Sequence, residues 1–231
     1  MTTLRVLSTL AVMGAMRELA GLYETQSGIA IDADFAPTVA LLERLRAREP
    51  ADIAILTAQG IDDLTDEGVM RPGIRTDVAL SFVGIAVKAG APKPDISSVT
   101  AFRTTLMSAR SVAYSKIGAS GIFFASLLER MGIADAINTK AVIVPSGFTA
   151  ERVASGEVEL AVQQVSELMV VPGIEVVGPL PAEIQTVATF SAGLLAGSGQ
   201  GEAAEAFLRF LASPGIARVL RRAGLEPAAS L

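Results

Sequence analysis

The chain contains no histidine, no cysteine and no tryptophan among its 231 residues. Without cysteine there is no disulfide framework, no thiolate nucleophile and no thiolate metal ligand. The lack of histidine also excludes serine–histidine triads and imidazole metal sites. Carboxylates alone still suit magnesium or calcium, and the densest acidic cluster is Asp62, Asp63, Asp66 and Glu67. Since no glycine-turned loop accompanies that cluster, we interpret it as a solvated helix face and predict neither a metal site nor a cofactor.

Long apolar runs and a positive charge balance are lacking as well. Although 51% of the residues are apolar, no run reaches the roughly 18 to 20 residues that a membrane span needs, so we expect a soluble protein. A net charge of −5 argues against a nucleic-acid surface. Only Arg5 precedes the first short apolar segment, and no cleavage site follows. As written, the chain predicts a cytoplasmic protein, or a periplasmic one whose leader has been removed.

The most informative stretch is YSKIGASGIFFASLLERMGIAD, residues 114–135. A short apolar strand is followed by a turn of small residues and then by a helix with apolar residues at Phe123, Leu127 and Met131. A helix start leaves unpaired backbone N–H groups and the positive end of the helix dipole, which favour an anion. Lys116 adds a full positive charge. An ordinary capped strand-to-helix loop is the alternative interpretation.

The first half of the chain alternates strands and helices. Strands are predicted at residues 4–7, 29–35 and 51–56, and this order indicates a parallel sheet with all strand ends along one edge. Hydroxyl residues follow two of these strands, at Ser8-Thr9 and Thr38. Ligands of open α/β sheets bind at that edge, although ordinary helix caps would use the same residues.

A second alternation follows, with strands predicted at residues 111–114, 141–144 and 158–163. Long extended runs at residues 77–88 and 185–195 connect it to the first. The sequence therefore predicts an α/β protein of two lobes, residues 1–79 with 190–231 and residues 80–189. A ligand cleft between the lobes would face both sets of strand ends.

Four segments resemble the molybdate-binding protein family of bacterial ABC transporters: LSTLAVMGAMRELAGLYETQSGI, PADIAIL, SGIFFASLLERMGIAD and VASGEVELAVQQVSEL. The likeness extends over about residues 4–224. It implies the type II periplasmic-binding-protein fold, in which each lobe is a mainly parallel sheet flanked by helices and two crossing strands form a hinge. The family also implies an oxyanion in the cleft, a membrane permease as partner and a monomer.

The resemblance maps a ligand site onto the loops of this chain. The family's first-loop serine falls at Thr9-Leu10-Ala11, and its serine-rich second loop falls at Ala36-Pro37-Thr38-Val39. Two loop amides map to Ser120-Gly121 and near Ser146-Gly147, and the family's tyrosine maps to Gln164. The predicted ligand-binding residues are Thr9, Thr38, Ser115, Lys116, Ser120, Gly121, Ser146 and Gln164.

Lys116 departs from the plan of that family, whose sites hold molybdate with neutral hydroxyls and amides. A full cation suits a carboxylate, and Gln164 offers both a donor and an acceptor. We therefore favour a small organic acid over molybdate as the ligand. An exposed loop lysine without a role is the alternative.

Two functions are compatible with these residues. The first is a substrate-binding protein that closes on a small anion and delivers it to an ABC transporter. The alternative is an enzyme, since the resemblance extends to aconitate isomerases on the same fold. Such an enzyme needs a base of near-neutral pKa and a cation, and the candidates are Glu167, Lys116 and Tyr114. Glu167 as an ordinary surface residue remains the other interpretation.

Overall fold

The computed structural model describes residues 2–228. The strands are β1 Thr3–Thr9, β2 Ala30–Ala36, β3 Ile53–Thr57, β4 Met70–Lys88, β5 Val112–Tyr114, β6 Ala141–Ile143, β7 Leu160–Gln164, β8 Ile174–Pro179, β9 Val187–Leu195 and β10 Glu226–Pro227. The α-helices are α1 Met13–Ser27, α2 Thr38–Arg46, α3 Ala58–Asp66, α4 Val99–Ser108, α5 Ala119–Arg130, α6 Ala134–Asn138, α7 Ala150–Ala154, α8 Val165–Leu168, α9 Gly201–Leu211 and α10 Ala217–Arg222. Within residues 2–228, no helix combines the length and the apolar character needed to cross a membrane.

The chain divides into two compact units. Unit 1 contains the residues up to Ser81 and those from Ala188 onward, and unit 2 contains Phe82–Val187. The chain leaves unit 1 within β4 and returns at the start of β9. The residue bounds of the two lobes and the ligand cleft that the sequence predicts stay predictions.

Unit 1 is built on a parallel sheet in which β1 lies between β2 and β3. Strand β9 runs antiparallel to β3, and β10 runs antiparallel to β4. One face of β1 packs Leu4 and Val6 against α1 and α9, while the other buries Leu7 against α2 and α3. The predicted β-α-β-α-β order is confirmed, and it places the carboxyl ends of β1, β2 and β3 at one sheet edge.

Unit 2 repeats this plan with β5 between β6 and β7, all three parallel. Strand β4 runs antiparallel to both β7 and β8. One face of the sheet buries Phe102, Tyr114 and Phe124, and the other buries small residues such as Ala113 and Ala161.

Several boundaries differ from the sequence prediction. Strand β4 begins at Met70 instead of residue 77, because Pro72-Gly73 resembles a turn but is accommodated inside the extended run, with Gly73 at φ +75°. The elements α6, α8 and β10 were not predicted, since such short segments show no periodicity. The last helical segment of the described chain divides into a 3-10 turn at Pro214–Ile216 and α10.

Candidate anion-binding site

The junction between β5 and α5 is the strand-to-helix turn that the sequence predicts. The Ser115 hydroxyl accepts a hydrogen bond from the Ile117 N–H at 3.3 Å, which shapes the loop after β5. The Gly118 carbonyl then accepts from the N–H groups of Gly121 and Ile122, at 3.1 and 3.0 Å, and α5 begins. Ser115 and Ser120 are both buried. The loop therefore presents the start of a helix and two hydroxyls, which are suitable donors for an anion.

Gly121 is required by a close approach between the helix and the strand end. A Cβ atom added at this position would lie 1.4 Å from the carbonyl oxygen of Ser115. Any side chain would push α5 away from β5, so glycine alone permits this contact. This close packing accounts for the glycine, and because the Gly121 N–H donates to the Gly118 carbonyl, its ligand role stays a prediction.

Lys116 lies two residues before Gly118, the N-cap of α5, and its side chain is exposed. Lys116 forms no ion pair with any carboxylate of residues 2–228. Its charge is therefore available next to the start of a helix, where it adds to the field of the helix dipole.

Gln164 ends β7 and is 2% exposed. Its side-chain oxygen is buried and faces the Glu167 N–H in the capping box that begins α8, but it makes no hydrogen bond of good geometry within the described part of the chain. Leaving a buried carbonyl oxygen fully unpaired costs roughly 1 to 3 kcal/mol, so a better donor than this capping contact would be favourable. A ligand O–H group would donate to this oxygen. If the Gln164 amide were rotated so that its oxygen and nitrogen exchange places, it would offer an N–H group to an anion at the same position.

The loop between β6 and α7 carries Ser146 and Gly147. Ser146 is exposed, and Gly147 has a φ of +79°, a conformation that favours glycine. Behind the loop, the Gln163 side chain donates to the Gly147 carbonyl at 3.3 Å and accepts from the Thr149 N–H at 2.8 Å. Sequence reasoning missed Gln163 and Thr149, although two glutamines at the end of the apolar strand LAVQQ are an unusual signal.

Glu167 lies in α8 and is only 6% exposed, so its interpretation as a surface residue is wrong. Its carboxylate accepts a hydrogen bond from the Gln164 N–H at 3.2 Å. Burial raises the pKa of Glu167 to about 7, while the bonds from the Gln164 N–H and the Gln163 side chain oppose that rise. A carboxyl group with this pKa exchanges a proton readily near neutral pH.

Tyr114 is placed differently from Glu167. Its hydroxyl donates to the Asn138 side chain at 2.6 Å, and its ring meets that of Phe124 edge-on at 5.2 Å between centroids. Burial, followed by the charge of Glu129, raises the pKa of the Tyr114 hydroxyl above its usual value. The Tyr114 hydroxyl is therefore used in a structural hydrogen bond inside unit 2.

Unit 1 carries its own group of hydroxyls at the carboxyl ends of its parallel strands. Thr9 ends β1 and accepts from the Ala11 N–H at 3.4 Å, whereas Thr38 begins α2 and is buried. Thr57 ends β3 and caps α3 by accepting from the Gly60 N–H at 3.2 Å. Sequence reasoning missed Thr57, which continues the same pattern of a hydroxyl residue between a strand and a helix.

Comparison with solved structures supports the fold. The periplasmic molybdate-binding protein of Azotobacter vinelandii superimposes with a TM-score of 0.82 at 19% identity, covering 96% of this chain and 98% of that one. A periplasmic thiamin-binding protein gives a TM-score of 0.77 at 17% identity, covering 99% of this chain and 84% of that one. Identities this low bear on the fold alone. The two superpositions confirm the predicted two-lobed type II periplasmic-binding-protein fold.

Sequence comparison gives the family. An aconitate isomerase of a Pseudomonas species is 40% identical over 232 residues, which span 98% of this chain and 88% of that protein. The likeness that the sequence indicated, to molybdate-binding proteins and to aconitate isomerase, is thereby confirmed. A family model described as bacterial extracellular solute-binding protein matches residues 4–226. Because that match includes nearly the whole chain, the protein belongs to the bacterial extracellular solute-binding protein family.

Proposed function

We propose that this protein binds a small polycarboxylate through the strand-end loops described above. In unit 2 the ligand-binding groups are Ser115, Lys116, Ser120, the Ser146 loop and Gln164, with Gly121 letting the start of α5 approach the loop. In unit 1 they are Thr9 and Thr38. The free charge of Lys116 supports a carboxylate ligand, because neutral hydroxyls and amides alone suffice for a metal oxyanion. The 40% identical relative is named for such an acid.

We further propose that the bound acid is a substrate and that Glu167 is the catalytic base. The single observation that carries this step is the buried carboxyl group of Glu167, whose pKa is about 7. A passive receptor needs no such group. A base works best when its pKa lies near the working pH, because it must both accept and return a proton.

The reaction is an allylic proton shift. Ionised Glu167 takes a proton from the methylene carbon of the unsaturated acid, and the electron pair spreads over the allylic carbons and the conjugated carboxylate. Protonated Glu167 then returns the proton to the carbon at the other end of the allylic system. The double bond moves by one position, no atom or charge is gained or lost, and Lys116 stabilises the negative charge that develops on the carboxylate.

Delivery to an ABC-type permease is the second candidate function, and family membership favours it. In that role the protein acts outside the cytoplasm as a monomer and releases an unchanged anion. The same polycarboxylate site serves either function, so the two differ only in the fate of the ligand.

A thermal-shift series tests the ligand class. The protein is melted with citrate, cis-aconitate, trans-aconitate, molybdate, tungstate and sulfate. A ligand at about 100 times its Kd stabilises the folded state by roughly 2.7 kcal/mol, which a melting curve detects. We expect shifts with the polycarboxylates, and a shift confined to molybdate and tungstate would contradict the proposal.

A further inference from the structure

A cavity of about 390 Å³ lies in unit 1, away from the strand-end loops of the candidate site. It is bounded by Arg5 of β1, the end of α2, the residues just before β3 and the loop that follows β9. These segments mark the edge of the sheet at which β3 begins, whereas Thr9 and Thr57 lie at the opposite edge, where β1 and β3 end. A volume of this size is typical of a small-molecule site.

The lining of the cavity combines apolar and charged side chains. Leu45, Val69 and Leu195 line it and are buried in the core of unit 1. Arg5 and Arg48 line it as well, and both are exposed. A ligand that matches this lining has an apolar body and a charged or polar end.

The two carboxylates that line the cavity already have donors. Glu49 accepts hydrogen bonds from Nε and Nη2 of Arg44, both at 2.7 Å, and from Nη2 of Arg5 at 3.0 Å. Asp52 accepts from the backbone N–H of Arg5 at 2.9 Å and from the Ser198 hydroxyl at 2.6 Å. A cationic ligand would have to displace these donors, so the two carboxylates do not favour one.

Arg48, in contrast, keeps free hydrogen-bond donors. Its Nη1 donates to the Gly68 carbonyl at 2.9 Å. Among the described residues it forms no ion pair with a carboxylate. A guanidinium has five N–H donors and pairs well with a carboxylate, so the group that the lining lacks is an anion.

The backbone of Arg48 shows that an arginine is unfavourable at this position. Helix α2 ends in a Schellman motif, in which the Arg48 N–H donates to the Leu45 carbonyl at 3.0 Å and the Glu49 N–H donates to the Arg44 carbonyl at 3.1 Å. Arg48 therefore has a φ of +59°, a conformation that favours glycine. Four other helices of the chain end in the same motif with glycine at this position: Gly68, Gly132, Gly156 and Gly224. A side chain kept in an unfavourable conformation indicates a role for its guanidinium.

We propose that this cavity is a second binding site, which holds a small organic acid with an apolar body. Arg48 binds the carboxylate of the acid, and Leu45, Val69 and Leu195 contact its apolar part. The site goes beyond the proposed function and does not depend on it, because its lining residues are separate from the strand-end loops that hold the polycarboxylate.

The test uses three probes that share a phenyl group and differ in charge. Phenylacetate is an anion, phenylalanine a zwitterion and phenethylamine a cation. Titration calorimetry should show the tightest binding for phenylacetate and none for phenethylamine. Arg48→Gly should weaken phenylacetate binding about tenfold or more, because it removes a charge-assisted hydrogen bond. The matched control is Arg46→Gln, which changes an exposed arginine of the same helix that pairs with Glu67.

Urea unfolding of the same variants separates a binding role from a structural one. Arg48→Gly relieves the backbone and should be at least as stable as the wild type, although it binds phenylacetate less tightly. A loss of stability would instead show that the arginine serves the fold through Gly68, and it would overturn the proposal. Arg48→Asn also tolerates a positive φ and removes the guanidinium, so it replaces Arg48→Gly if that variant does not fold.

Three binding results would also overturn the proposal. One is the absence of phenylacetate binding to the wild type, and another is phenethylamine binding as tight as that of phenylacetate. The third is a phenylacetate affinity that changes equally in Arg48→Gly and Arg46→Gln, or in neither.

Discussion

The carboxylate of Glu167 accepts a hydrogen bond at 3.2 Å from the N–H of Gln164, and the side chain of Gln164 in turn faces the N–H of Glu167 in a capping box. The residue that ends β7 is therefore joined to a titratable group through both its backbone and its side chain. A titratable group held at the end of a strand in this way is the feature on which the proposed catalytic role of Glu167 rests.

The pH dependence of stability reports on Glu167. Its pKa rises from 4.5 to about 7 on folding, so between these values the folded protein holds a proton that the unfolded chain has released. The contribution of Glu167 to stability is thus complete below pH 4.5 and is lost as pH rises through about 7, at no more than roughly 1.4 kcal/mol per pH unit. Thermal unfolding between pH 5 and pH 8 should show this decline.

The control for that measurement is Glu167→Gln, which keeps a side-chain oxygen for the Gln164 N–H but cannot titrate. Its stability should lack the decline contributed by Glu167. Glu49, whose pKa is lowered to about 2 mainly by its hydrogen bonds with Arg44, titrates below this range and does not interfere. Equal slopes in the wild type and the variant would show that Glu167 is ionised throughout.

Lys116→Gln should weaken the binding of polycarboxylates by about tenfold or more, since one charge-assisted hydrogen bond contributes roughly 1.5 to 3 kcal/mol. Folding stability should change little because the side chain is exposed. The matched control is Lys88→Gln, which removes the same charge from another exposed lysine of unit 2. Titration calorimetry with citrate measures both, and similar losses in the two variants would mean that only net charge matters.

Gly121→Ala should destabilise the protein by at least 1 to 3 kcal/mol, as is typical of overpacking, because its Cβ collides with the Ser115 carbonyl. Gly118→Ala is the control: its Cβ would lie 3.9 Å from the Ser115 hydroxyl, and its φ of −94° suits alanine. Urea unfolding compares the two. If Gly121→Ala were as stable as Gly118→Ala, the close approach of α5 to β5 would be refuted.

The hydroxyls of unit 1 should separate into a structural and a ligand-binding group. Thr57→Val removes the cap of α3 and should cost about 1 kcal/mol of stability. Thr38→Val keeps the shape of the side chain and should lower polycarboxylate affinity with a smaller effect on stability. Melting with and without citrate distinguishes them, and unchanged affinity in Thr38→Val would remove that residue from the site.

Sequence patterns predicted much of this fold because its longer elements follow clear periods. Helices α1 and α5 show helical spacing of apolar residues, and the βα alternation predicts the parallel sheets. The burial of Glu167 could not be predicted, since α8 has only four residues and is too short to show a period. The pairing of Tyr114 with Asn138 joins residues 24 positions apart, which no local pattern indicates.

The most direct test of the proposed function is proton NMR of cis-aconitate or trans-aconitate incubated with the protein at pH 7.5. The wild type should interconvert the two isomers, and Glu167→Gln should do so about 10²- to 10⁴-fold more slowly, the usual effect of losing a catalytic base. Glu157→Gln, which changes an exposed carboxylate paired with Arg152, should match the wild type. Interconversion that persists undiminished in Glu167→Gln, or none in the wild type despite a thermal shift with aconitate, would contradict Glu167 as the base of an isomerase.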